Sequence, residues 1–134
     1  MKKVLFVCVH NSGRSQMAEA LFNHYAAGKA QAFSAGTQLA SHVNPTVVQA
    51  MREIGIDISP QRPKKLTLEM LDDADKVVTM GCEVESVCPA AFVPTEDWQL
   101  EDPEGQPIEK VRGIRGEIEA KVKKLIEQIK QERR

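Results

Sequence analysis

Four apolar residues, Val4-Leu5-Phe6-Val7, run without polar alternation straight into Cys8-Val9-His10-Asn11-Ser12-Gly13-Arg14-Ser15, and helical periodicity begins at once. A continuous apolar run this short reads as a strand buried on both faces of a parallel sheet. Parallel neighbours need crossover connections, so helices and strands must alternate along the rest of the chain. They do. From Ser15 to about Ala27, Met17, Ala20, Leu21 and Tyr25 recur at helical spacing, with Gly28 near the stop. Gln31-Ala32-Phe33-Ser34 reads as a second strand ended by Ala35-Gly36. Pro45 opens a second helix whose Val47, Val48, Met51 and Ile54 line one face and whose cap is Gly55. Ile56-Asp57-Ile58 predicts a brief extended piece, Thr67 caps a short helix through Leu71, and Lys76–Met80 is the next buried strand. Residues 81–107 carry Pro89, Pro94, Pro103 and Pro107 with little periodicity, and read as a long irregular stretch. Ile108, Val111, Ile114, Ile118, Val122, Leu125 and Ile129 then mark one face of a final long helix. The alternation predicts a single α/β domain with helices on both faces of a parallel sheet.

Composition narrows the function classes. In 134 residues, 42% hydrophobic and 28% charged are globular proportions, and a net charge of −1 leaves no nucleic-acid footprint. No apolar stretch approaches the roughly 20 residues of a membrane span. The apolar run after Lys2-Lys3 ends too early for a secretion signal and reads as the first strand. Three cysteines, an odd number, fit a reducing cytoplasm and reactive thiols.

A thiol, five residues and Arg14-Ser15, set between a strand and a helix, can cradle a tetrahedral oxyanion against sulfur. Backbone N–H groups of Val9, His10, Asn11, Ser12 and Gly13 and the N-terminus of the next helix concentrate positive potential there. Arg14 offers a planar fork for two oxygens, and the same field favours Cys8 as the thiolate. Ser15 can donate to the sulfur, and Gly13 lets the backbone approach the anion. Asn11 and Ser12 read as braces of the loop and His10 as a plain loop residue. The competing reading is an inert buried thiol at a strand end beside a surface arginine.

Cys8-x5-Arg14-Ser15, with Asn11 inside it, resembles the signature of the low-molecular-weight protein tyrosine phosphatase fold. Asn11 through Glu19 is similar to the arsenate reductases of that fold, which have Gln16 where the phosphatases usually carry proline. Ser34-Ala35-Gly36, Val43-Asn44-Pro45 and Ile56-Asp57-Ile58-Ser59 match in order, so the resemblance runs over nearly the whole chain. Gly13 stands where many such reductases have another cysteine. The resemblance implies one domain over residues 1–134, a three-layer α/β/α fold with a central four-stranded parallel sheet, acting as a cytoplasmic monomer.

Alone, Asp102-Pro103 marks a turn; the resemblance makes Asp102 the general acid opposite Cys8. The tyrosines that commonly follow that pair in phosphatases are absent, aromatic content is 4%, and Trp98 reads as core packing. Cys82-x5-Cys88 admits three readings: an inert pair, zinc ligands at a spacing wider than usual, or a redox relay. The relay accounts for all three thiols. Cys8 attacks arsenate, Cys82 takes over the sulfur of Cys8 as arsenite leaves, Cys88 moves the disulfide outward, and thioredoxin reopens it. No metal and no cofactor is required, although some relatives bind potassium beside the loop. Asn11, Glu19 and Ser34 match part of that site, while the carboxylate expected near Thr67 is missing. A phosphatase acting through a Cys8 phosphocysteine is the alternative function, and a noncatalytic oxyanion or redox sensor the lesser one.

Overall fold

The structure, a computed structural model, describes residues 2–80 and 95–132. Along the chain lie β1 (Lys2–Cys8), α1 (Arg14–Ala26), β2 (Ala30–Gly36), α2 (Pro45–Arg52), α3 (Leu68–Asp73), β3 (Lys76–Thr79), β4 (Thr95–Asp97) and α4 (Ile108–Glu132). The strands form one parallel sheet in the order β2-β1-β3-β4. The chain leaves β1 toward β2 on one side and returns to place β3 on the other. The loop after β1 therefore opens at the point where the winding changes direction, the usual ligand position of an open α/β sheet.

Side-chain alternation along β1 divides the core in two. Val4, Phe6 and Cys8 point into the larger cluster with Met17, Leu21 and Phe22 of α1, Val47 and Met51 of α2, and the apolar face of α4. Leu5 and Val7 point the opposite way, into a smaller cluster with Leu71 of α3 and Val77 of β3. Both faces of β1 are covered, which is why its sequence shows no alternation. Val111, Ile114, Ile118, Val122, Leu125 and Ile129 of α4 are all buried, each contributing about 1.5–3 kcal/mol of apolar burial. Trp98 is 3% exposed and packs 5.5 Å from the Phe6 ring.

The capping chemistry follows the sequence. Asn44 accepts from the Thr46 N–H at 2.9 Å ahead of Pro45, and Thr67 accepts from the Met70 N–H at 3.2 Å. Three local expectations give way. α2 ends at Arg52, so Ile54 falls in the turn beyond it and is exposed rather than lined up with Val47 and Met51. Ile56–Ile58 forms no strand: Asp57 Oδ1 takes the Ser59 N–H at 2.9 Å in a local turn, with Ile58 fully buried in the core and Ile56 packed partly buried against it. The irregular stretch contains β4, a three-residue edge strand of polar Thr95-Glu96-Asp97. An edge strand this short and polar carries no periodic apolar signal.

No described helix is long and apolar enough to cross a membrane.

Candidate active site

The loop from Val9 to Gly13 is stitched to its surroundings by its own backbone. Val9 O accepts from the Gln38 N–H at 2.8 Å, His10 O from Ala40 at 3.2 Å, and Ser12 O from Asn44 at 2.8 Å. The end of β2 lies directly beneath. A Cβ on Gly36 would sit 2.7 Å from Val9 O and 3.0 Å from Asn11 N, so only glycine lets the loop rest there. His10 Nδ1–H donates to the Gln38 carbonyl at 2.7 Å, since a carbonyl oxygen only accepts. That fixes the imidazole on the loop's outer edge.

Asn11 is the hub. It is fully buried at a φ of 52°, a left-handed conformation that asparagine tolerates better than most residues. Its backbone N–H donates to Cys8 Sγ at 3.2 Å, and its Nδ2 donates to Ser15 Oγ at 2.7 Å. Ser15 Oγ lies 2.8 Å from Cys8 Sγ. The hydroxyl oxygen accepts from Asn11, which leaves its own proton free for donation to the sulfur. A hydroxyl and a backbone N–H thus converge on a sulfur buried at the N-terminal end of α1. Asn11 Oδ1 in turn accepts from the Lys64 N–H at 2.7 Å and from Gln16 Nε2 at 3.1 Å. Gln16 also donates to Arg62 O at 3.1 Å, joining the loop to the segment after α2.

Arg14 turns inward, 6% exposed, with Nη1 donating to Leu100 O at 3.0 Å and Nη2 3.8 Å from Asp102 Oδ2. It bridges the thiol loop and the segment ahead of α4. Asp102 stays half exposed; its Oδ1 accepts from the Glu104 N–H at 3.0 Å, the local bond of an Asx turn. Pro103 is buried against the loop, and a Cβ on Gly13 would lie 2.7 Å from Pro103 Cγ. The missing side chain at Gly13 is what lets the two segments touch. Cys8, Arg14, Ser15 and Asp102 are therefore gathered in one place, while Cys82 and Cys88 lie outside the described residues.

The residues expected beside the loop for potassium do not fit the ion. Ser34 Oγ donates to Glu19 Oε1 at 2.9 Å, and Lys64 Nζ stands 3.3 Å from the same oxygen. An ammonium already neutralises the one carboxylate of the set. Sequence reasoning overlooked Lys64 and the support that Gly36 gives the loop. Neither had a local signal, because both act on residues distant in the chain.

A family model described as low molecular weight phosphotyrosine protein phosphatase matches residues 3–134. The chain is 44% identical over 133 residues to the glutaredoxin arsenate reductase of a Synechocystis species, covering 96% of this chain and 99% of that one. A solved arsenate reductase in the phosphate binding state is 43% identical with a TM-score of 0.86, over 96% of this chain and 99% of that one. The thioredoxin-dependent arsenate reductase of Corynebacterium glutamicum is 39% identical with a TM-score of 0.85; 98% of this chain is covered, and it spans 63% of that protein's chain. A match that reaches from residue 3 to residue 134, over a sheet that sets a thiol loop at its change of direction, makes the chain a member of the low molecular weight phosphotyrosine protein phosphatase family.

Proposed function

We propose that the chain is an arsenate reductase, turning arsenate into arsenite with electrons from thioredoxin. The observation that carries the reading is a buried thiol, hydrogen-bonded by Ser15 and Asn11, in a chain similar over its whole length to named arsenate reductases. The Cys8 thiolate displaces one oxygen of arsenate, forming a sulfur–arsenic bond. Arg14 and the loop N–H groups hold the remaining oxygens, and Asp102 protonates the departing one so that it leaves as water. Cys82 attacks Cys8 Sγ; a disulfide forms, the sulfur–arsenic bond breaks, and its electron pair stays on arsenic as arsenite. Cys88 attacks Cys82, releasing Cys8 as thiolate, and thioredoxin reduces the Cys82–Cys88 bridge. The protein works as a cytoplasmic monomer without a metal cofactor.

A slow aryl phosphatase activity is the second reading. It is favoured by Arg14 of the thiol loop standing 3.8 Å from Asp102. Tyr25 bonds to Glu119 and Trp98 packs on Phe6, so neither offers a wall for a phosphotyrosine ring.

Reduced protein, thioredoxin, thioredoxin reductase and NADPH test the proposal: NADPH is consumed only when arsenate is added, and Cys82→Ser stops it. Brisk aryl phosphate hydrolysis with arsenate acting only as an inhibitor would overturn it. Turnover with glutaredoxin and glutathione but not with thioredoxin would overturn the choice of donor.

A further inference from the structure

We propose that Lys64 is the built-in cation of the thiol loop, and that this chain has no use for potassium. Glu19 sits on α1 behind the loop, 8% exposed, beside the fully buried Ser34 of β2. A carboxylate placed there demands a compensating positive charge, because an unpaired buried charge is strongly destabilising. Ser34 supplies one hydrogen bond at 2.9 Å, and Lys64 Nζ supplies the charge at 3.3 Å from the same oxygen.

What makes this more than an incidental ion pair is how Lys64 is held. Gly36 N–H donates to Lys64 O at 2.8 Å and Leu66 N–H to Gly36 O at 2.9 Å, so the segment is pinned to the end of β2 by backbone bonds. The Lys64 N–H donates to Asn11 Oδ1 at 2.7 Å. A line of hydrogen bonds then runs from Lys64 through Asn11 and Ser15 to Cys8 Sγ. The residue that neutralises Glu19 is thus also the one that orients the loop's hub. Lys64 is a positioning residue: its backbone N–H holds Asn11 Oδ1 and its ammonium holds Glu19, and it touches neither the sulfur nor the anion. A free potassium ion near Glu19 would meet the ammonium's like charge.

The test compares wild type, Lys64→Ala, Lys64→Arg and Glu19→Gln across a KCl series held at constant ionic strength with choline chloride. Lys64→Ala keeps the backbone bond to Asn11 and loses the ammonium together with its stem. Its melting temperature should fall and then rise by several degrees with potassium, while wild type, Lys64→Arg and Glu19→Gln stay flat. That readout needs no catalysis. In the arsenate assay, which rests on the proposed function, kcat of Lys64→Ala should drop roughly tenfold without potassium and recover with it. Stabilisation of the wild type by potassium, or a Lys64→Ala protein as indifferent to the ion as wild type, overturns the proposal. Should Lys64→Ala not fold, Lys64→Met, which keeps the apolar stem, is read the same way.

Discussion

Ser15 carries the loop's geometry to the Cys8 sulfur. Its hydroxyl oxygen is held by the Asn11 amide at 2.7 Å and lies 2.8 Å from the sulfur, to which its proton is free to be donated. Replacing Ser15 by alanine removes that donor and leaves a buried amide without its acceptor. In a Cys82→Ser/Cys88→Ser background, alkylation of Cys8 by iodoacetamide at neutral pH should slow about tenfold, the effect of one charge-assisted hydrogen bond of about 1.5 kcal/mol. An unchanged rate would mean that Ser15 only packs. At this scale the sequence was informative where chemistry is local: Cys8, Arg14 and Ser15 lie within eight positions, and their order already implies an oxyanion loop. Lys64 was illegible. It lies 53 residues from Asn11, in a run of prolines and basic residues with no periodicity, and only the fold brings it to the loop.

Between elements, α2 and α4 are clamped by one carboxylate. Arg112 Nη2 donates to Glu53 Oε2 at 2.7 Å and Arg115 Nη1 to Oε1 at 2.9 Å, while Arg115 Nη1 also holds Ala50 O at 2.7 Å near the end of α2. The hydrogen bonds from Arg112, then those from Arg115, lower the Glu53 carboxyl from its ordinary 4.5 to about 2. A carboxylate with a depressed folded value stabilises above its unfolded value and loses that contribution as pH falls through the folded one. Glu53→Gln should therefore melt below wild type at neutral pH, and the gap should close between about pH 4.5 and 2. The clamp is at the surface, so the gap should be small and shrink in salt. A gap that persisted at the acid end would show that Glu53 acts by packing. Helix α4 itself was legible from its apolar face, whereas the clamp required knowing which helix lies across from it. The same holds for Ile54, whose spacing fits α2 although the helix stops two residues earlier.

For the whole molecule, a short apolar run led to the parallel sheet because burial on both faces leaves no room for polar alternation. The strand order, and with it the change of direction that opens the site, depends on β3 and β4 docking on the far side of β1, which no local pattern encodes. The chain's first loop meets its late segment through Gly13 and Pro103, ninety positions apart. Cys82 and Cys88 carry the distinction between reduction and hydrolysis, and their part in the proposal rests on the sequence and on the named relatives. The most direct measurement is a single turnover: reduced protein is mixed with arsenate and no reductant, quenched, and analysed for arsenite and for disulfides by peptide mass. The account predicts one arsenite per chain and a Cys82–Cys88 bridge, with Cys82→Ser stalled before arsenite is released. Arsenate recovered unchanged over three free thiols, or arsenite formed as readily by Cys82→Ser, would contradict it.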